Sequence, residues 1–160
     1  MSYASVELLG RQQPRILVSP PRVSSAGQEA AELAESAGLV LDPWQRLALE
    51  EALGERADGS WAAYEVGLEV PRQNGKGSWI EARELAGLFL FGDRLIVHSA
   101  HLFKTAKEAF KRILQLIEGS SDLAREVRRV TWTHGSEGIE LMSGQRLEFV
   151  ARGRGSGRGL

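Results

Sequence analysis

A short turn in the middle of this chain carries the residue types that hold phosphate. Pro71-Arg72-Gln73-Asn74-Gly75-Lys76 ends in a glycine and a lysine, and a segment with helical spacing follows. Glycine lets backbone N–H groups approach an anion closely. A helix start presents orphan N–H groups and the positive end of its dipole, and lysine adds a mobile ammonium for the β- and γ-phosphates of a nucleotide. Against the phosphate-loop pattern G-x-x-x-x-G-K-S/T, the positions run from Val70 to Gly77. The second glycine and the lysine match; Val70 replaces the first glycine, and Gly77 replaces the hydroxyl that ordinarily ligates Mg²⁺. Ser78 is the nearest substitute, but one residue along a helix turns a side chain by about 100°. Arg72 adds a planar fork for the same oxygens. Without its surroundings the pattern is weak: Gly75 relieving a tight turn beside a solvated Lys76 explains the pair equally well.

The turn needs a strand before it and a helix after it. Trp61 to Val70, aromatic and aliphatic, reads as the strand. From Lys76 or Gly77 to Phe91, the apolar residues Trp79, Ala82, Ala86, Phe89 and Leu90 follow helical spacing until Gly92-Asp93. Arg94 to Ser99 reads as a second, fully buried strand. Leu102 to Ile117 is an amphipathic helix with Phe103, Ala106, Phe110, Ile113 and Ile117 as its buried stripe. A short helix over Asp122 to Val127 precedes strands at Val130 to Thr133, Ile139 to Met142 and Leu147 to Ala151, with Ser143-Gly144 as a hairpin turn. Upstream, Met1 to Val23 lacks a period and contains Pro14, Pro20 and Pro21, so it reads as an extended arm or linker. Ser24-Ser25 caps a helix that ends at Gly38. Asp42 with Pro43 starts another, whose apolar face is Trp44, Leu47, Ala48 and Leu53. This order predicts an α/β fold with a parallel sheet flanked by helices. Ligands in such sheets sit beyond the carboxyl ends of the strands, where the turn and Ser99-Ala100-His101 both fall.

Bulk properties narrow the function classes. The chain has 160 residues, 42% hydrophobic and 26% charged, which suits one domain with a core. Its net charge of -1 requires any DNA contact to come from a local patch. Cysteine is absent, which excludes disulfides and thiolate metal sites, and His98, His101 and His134 lack ligand spacing. The apolar run Leu85 to Phe91 is broken by Gly87 and falls short of the ~18 residues of a membrane span. Glu7 and Arg11 interrupt any signal-peptide core, so the expectation is a soluble intracellular protein with no membrane partner. Lys104, Lys107 and Lys111 share a helix side that is able to meet DNA phosphates, yet Glu108 and Arg112 mix the signs and favour a solvated face. His101 reads as a loop histidine, and Glu137 and Glu140 as strand-face charges. Arg152, Arg154 and Arg158 lie among glycines without aromatic neighbours, as in a plain polar loop.

Four segments in order carry a resemblance: Leu41-Asp42-Pro43-Trp44-Gln45; Glu69 through Lys76; Ser99-Ala100-His101 with Thr105-Ala106-Lys107-Glu108-Ala109-Phe110; and Gly155-Ser156-Gly157-Arg158-Gly159. From about Val40 to Leu160 the chain resembles the large terminase subunit of tailed bacteriophages. That resemblance implies an ATP-driven motor that packages double-stranded DNA into a preformed capsid, with a nuclease domain behind the ATPase. The partners implied are the small terminase subunit, the portal protein and further copies in a homo-oligomer. The implied place is the cytoplasm of the infected bacterial host, and the implied cofactors are ATP and Mg²⁺. It implies a P-loop NTPase-like fold, with residues 1–39 as an arm and short helix and residues 40–160 as a partial ATPase domain.

The same resemblance gives catalytic roles to Lys76, Arg72 and Arg158, the last as an arginine finger on a neighbouring subunit's ATP. Nucleotide contacts fall to Gln45, Pro71, Arg72, Gln73, Asn74, Gly75, Lys76, Gly77 and Ser78. Gln45 matches a glutamine that reads the adenine edge, where an amide donates and accepts at once. Arg72 matches the arginine of a variant loop without the first glycine, while Gly77 departs from the commoner serine or threonine. Trp44 either stacks near the base or belongs to the core. No metal ligand is assigned. The family continues beyond the position of Leu160 into a strand ending in an aspartate–glutamate pair that holds Mg²⁺ and activates water. The chain taken alone is therefore expected to be incomplete at its C-terminus, to bind nucleotide weakly and to turn over little. Two other readings stand beside this one. A helicase-like DNA translocase shares the glutamine and the loop but not Arg72. A non-hydrolysing fragment would bind nucleotide, DNA or a packaging partner through the arm.

Overall fold

Residues 10–133 and 137–152 are described by the structure, a computed structural model. The helices are α1 (Gly27–Ser36), α2 (Pro43–Ala52), α3 (Lys76–Ala86), α4 (Phe103–Gly119) and α5 (Ser121–Glu126). A π-helical turn, Gly87–Phe91, extends α3 and ends at left-handed Gly92. Two short strands, β1 (Ser24–Ser25) and β2 (Gly54–Glu55), pair antiparallel beside α1 and α2. The main sheet holds β3 (Leu95–Ala100), β4 (Val127–Thr131), β5 (Glu137–Leu141) and β6 (Arg146–Ala151) in the order β3-β6-β5-β4.

That sheet is mixed, not parallel. Only β3 and β6 run parallel, with His98 opposite Phe149; β6–β5 and β5–β4 are antiparallel. The expected strand over Trp61 to Val70 is not formed. Trp61 makes one isolated bridge to Glu55, and the residues after it carry no sheet pairing. Its composition suits a strand, but a strand needs a neighbour for its N–H and C=O groups, and past Ala62 none of the described strands pairs with it. β3 likewise departs from the fully buried reading: Leu95 and Val97 are exposed, because helices cover only the other face of the sheet.

Two cores meet on α3. In the larger, the stripe Ala106, Phe110, Ile113 and Ile117 of α4 packs on Ile139, Leu141, Leu147 and Phe149 of the sheet, together with Leu85 and Leu88. Phe110 sets its edge against Phe149 at 5.4 Å and Trp132 at 4.7 Å between centroids. The smaller core is alanine-lined: Ala30, Ala31 and Ala34 of α1 meet Leu49 of α2 and Ala82 and Ala86 of α3. Small residues let these helices approach closely, and a Cβ on Gly27 would stand 2.4 Å from the Cα of Glu50. α3 is therefore buried on two sides.

Residues 10–23 have no helix or strand, as expected of an arm, but they are fastened down and are not a free linker. Gln12 Oε1 accepts from the N–H of Trp44 at 3.2 Å, and Arg22 forks onto Glu51 at 2.5 and 3.1 Å. Ser19 donates to the same carboxylate, and the N–H of Val23 to the carbonyl of Glu55. Among the described residues no helix is long and apolar enough to cross a membrane.

Phe110→Ala should cost about 3–5 kcal/mol, since it empties the centre of the larger core. Urea unfolding of the variant against the parent checks this, and a loss below about 1 kcal/mol would contradict the packing described.

Candidate functional site

The turn at residues 71–75 delivers the chain into α3 at Lys76, so the helix begins where the loop ends. Gly75 is the N-cap, in a left-handed conformation at φ 74 and ψ 18, and no side chain caps the helix. The first-turn N–H groups of α3 thus have no side-chain acceptor at the cap. Gln73 is also left-handed, at φ 61, the one non-glycine residue so placed among those described. Such a conformation costs roughly 1–2 kcal/mol outside glycine; it curls the backbone between Arg72 and Gly75. Pro71, Arg72, Gln73, Asn74, Gly75 and Gly77 are exposed, and Lys76 and Ser78 are half-buried. Lys76 Nζ donates to the carbonyl of Val70 at 2.9 Å. Its ammonium therefore closes the loop from last residue to first. Arg72 makes no ion pair or hydrogen bond with a described residue.

Gln45 holds this loop from behind. It is buried at 3% exposure and is the third residue of α2, after Pro43 and Trp44. Its Oε1 accepts from the N–H of Asp42 at 2.6 Å, half of a capping box. Its Nε2 donates to the carbonyl of Gly75 at 2.7 Å. One amide thus joins the start of α2 to the start of α3. Contact with an adenine edge would have to use the remaining Nε2 hydrogen or remake one of these bonds. Gly75 is required twice over: its φ suits glycine, and a Cβ there would fall 2.6 Å from Gln45 Nε2.

Beyond its first turn, α3 carries two buried carboxylates that sequence reasoning did not single out. Glu81 accepts a fork from Arg112 of α4, at 2.8 Å from Nε and 3.0 Å from Nη2. Glu84 pairs with His98 Nδ1 of β3 at 2.6 Å, and that imidazole stacks on Phe149. The Glu84 side chain is 6% exposed and its Oε2 has no hydrogen-bond partner. Burial raises the pKa of Glu84 and of Glu81, outweighing the pull of His98 and Arg112 respectively. The bond to Glu84 raises that of His98. A signal existed in the sequence: Glu84 sits beside Leu85 within an apolar stripe, where a charge requires a partner.

The other expected residues are dispersed. His101 is exposed beyond β3, and no described bond joins it to the loop. Lys111 pairs with Glu108 at 3.0 Å on an exposed face. Glu137 is buried at 1% and so is not a surface charge, whereas Glu140 on the outer face meets Arg128 and Arg129. Arg158, Arg154 and His134 lie outside the described residues, as does the segment Gly155 to Gly159. Among the described residues no three histidine, aspartate or glutamate side chains converge as a metal-holding group.

Fold and site together define a mixed α/β domain with an uncapped helix start, a curled loop and an ammonium bonded back to the residue before the loop. The large terminase of bacteriophage HK97 has the same fold: its crystal structure aligns with a TM-score of 0.69 at 19% identity, over 85% of this chain and 29% of that one. The present chain thus spans less than a third of that protein's length. No family model matches the sequence, and a search of curated proteins gives no significant match.

Two outcomes follow. Gly75→Ala should destabilise the chain by about 1–3 kcal/mol in urea unfolding, from backbone strain and the displaced Gln45 amide; an unchanged midpoint would refute the geometry. His98 and Glu84 both bind their protons more tightly folded than unfolded. The Glu84 contribution is complete below its ordinary value of 4.5 and the His98 contribution below 6.5, and each is lost as pH rises through the higher folded value. Thermal melts should therefore lose stability as pH rises above those values, and His98→Asn should flatten the slope above 6.5. Equal slopes in both proteins would remove the pair as its cause.

Proposed function

We propose that this chain is the nucleotide-binding front portion of a large terminase subunit, with the phosphates of ATP at residues 71–77. The single observation that carries the proposal is Lys76 Nζ turned onto the Val70 carbonyl at 2.9 Å across a loop that opens on the uncapped start of α3. Phosphate oxygens would take the place of the Val70 carbonyl as acceptors from that ammonium. The helix start supplies N–H donors, and Arg72, exposed and unpaired among described residues, supplies the fork. The likeness of fold to the HK97 large terminase supports the same reading.

An open sheet edge fits it too. β3 is an edge strand of its sheet and exposes Leu95 and Val97. A further strand beside it would extend the sheet toward a P-loop NTPase-like one and bring the acidic pair that activates water. Glu81 and Glu84 do not fill that role, being committed to Arg112 and His98. In the terminase reading we assign double-stranded DNA as the track, the small terminase subunit, portal protein and further copies as partners, and the host cytoplasm as the place of action.

The residues fit a triphosphate better than Mg²⁺. Gly77 offers no hydroxyl to ligate the metal. Space is available for one: a Cβ on Gly77 would meet only Glu81 Oε1, at an ordinary 3.7 Å.

Titration calorimetry with ATP tests the assignment. Lys76→Ala should weaken binding at least about tenfold with an unchanged melting curve; equal affinity in the two proteins would defeat the role of Lys76. Gly77→Ser should make ATP binding depend more steeply on Mg²⁺ and add roughly 0.5 kcal/mol of helix stability. Identical Mg²⁺ dependence would show that residue 77 lies away from the phosphates.

A further inference from the structure

Two exposed stretches of backbone in this molecule lack a pairing partner, and their surfaces match. The first is the free side of β3. Its other side pairs with β6 in unbroken register, and among the described residues no strand takes the free one. Open edges invite another chain, and proteins blunt them with bulges and charges. β4, at the far end of the sheet, is blunted in both ways: its register shifts between Val127 and Arg129, and Arg128 and Arg129 stand exposed on it. The outward side chains of β3 are instead Leu95, Val97 and Ser99, the first two 43% and 38% exposed. Beside them Ile80 and Glu84 of α3 line a cleft of about 410 Å³. Trp79 Nε1 and Glu84 Oε2, on residues of that cleft, are buried without a hydrogen-bond partner among the described residues.

The second stretch is in the arm. Between Pro14 and Pro20, every residue from Arg15 to Ser19 carries an N–H group, and no described backbone bond engages them. Ile16, Leu17 and Val18 are 72%, 52% and 89% exposed. Three consecutive aliphatic side chains in water have the composition of a strand without a sheet. Gln12 on the Trp44 N–H, and Ser19 with Arg22 on Glu51, hold this run along α2. No arm residue lines the cleft beside β3, so within one molecule the two stretches stay apart. We infer that Arg15 to Ser19 of one copy adds to the open edge of β3 in a second copy, as a fifth strand of that copy's sheet. The length suits the six residues of β3. Ile16 and Val18 then share a face with Leu95 and Val97, and Leu17 turns into the cleft over Ile80. Main-chain bonds supply the affinity and the alternating side chains set the register. The added strand also brings carbonyl and N–H groups to the cleft that holds the unpaired indole and carboxyl atoms. Neither surface includes residues 71–77, so the inference is independent of the phosphate assignment. The edge holds one strand at a time, which makes the arm and the strand of the terminase reading alternative occupants.

Sedimentation velocity on the intact chain, without nucleotide, tests the pairing. Wild type should associate with rising concentration in the micromolar range. Val18→Asp in the arm and Val97→Lys on the edge, both at exposed positions, should each weaken that association at least about tenfold with unchanged melting curves. Should Val97→Lys fail to fold, Leu95→Lys takes its place. Mixed together, the arm variant and the edge variant should associate again, because one keeps a free edge and the other a free arm. Arg129→Ala, on the β4 edge, should leave association unchanged. A wild type that stays monomeric, association untouched by both variants, or variants that do not recover on mixing would each overturn the pairing of arm with edge.

Discussion

One side-chain amide ties the loop to the body of the protein. Gln45 receives the Asp42 N–H and gives a hydrogen to the Gly75 carbonyl, so the starts of α2 and α3 are set relative to each other by two hydrogen bonds inside a 3% exposed environment. In such a setting an unmade bond costs more than a made one returns, so the amide has little freedom to choose other partners. The left-handed turn at Gly75 follows from this, since the carbonyl can face Gln45 only with that backbone sign and without a Cβ. Everything proposed for the loop, including the direction of the helix N–H groups, depends on that small set of contacts.

The burial of α3 on two sides gives the amide something rigid to hold. Leu85 enters the sheet core and Ala82 with Ala86 enters the alanine core, so neither cluster can shift without moving the helix that follows the loop. Between these faces run Glu81 and Glu84, tied to α4 and β3. Buried pairs of this kind are poor sources of net stability, because desolvation offsets most of the attraction, but removing one partner leaves a charge stranded. They therefore act as registers: Arg112 and His98 specify which turn of α3 faces which neighbour.

Local signals in the sequence located most elements, and non-local pairing explains the misses. Asp42-Pro43 opens α2, the stripe from Phe103 to Ile117 marks α4, and Ser143-Gly144 turns the β5–β6 hairpin, because capping, periodicity and turn chemistry are read within a few residues. The mixed direction of the sheet is not legible in the sequence, because direction is decided by which strand lies next to which. The segment from Trp61 to Val70 has the composition of a strand but lacks a partner, and composition alone does not supply one. At the site, Lys76 at the helix start followed directly from spacing. The second bond of Gln45, the Glu84–His98 pair and the docking of the arm span many residues and leave only an oblique trace, such as a charge set within an apolar stripe.

The two flanks of the loop differ in how firmly they are held, and that difference bears on how a nucleotide would act. Downstream, α3 is packed on two sides. Upstream, Tyr64 is fully exposed, Val66 is 46% exposed and no ladder bonds hold the chain before Pro71. Segments with few buried apolar contacts open at low free energy. In this chain the Lys76–Val70 bond is the described link that closes the loop onto that weaker flank. In the proposed reading, a triphosphate drawing Lys76 onto itself would release the Val70 carbonyl, so nucleotide would act first on this weakly held stretch of backbone and not on the buried helix that follows it.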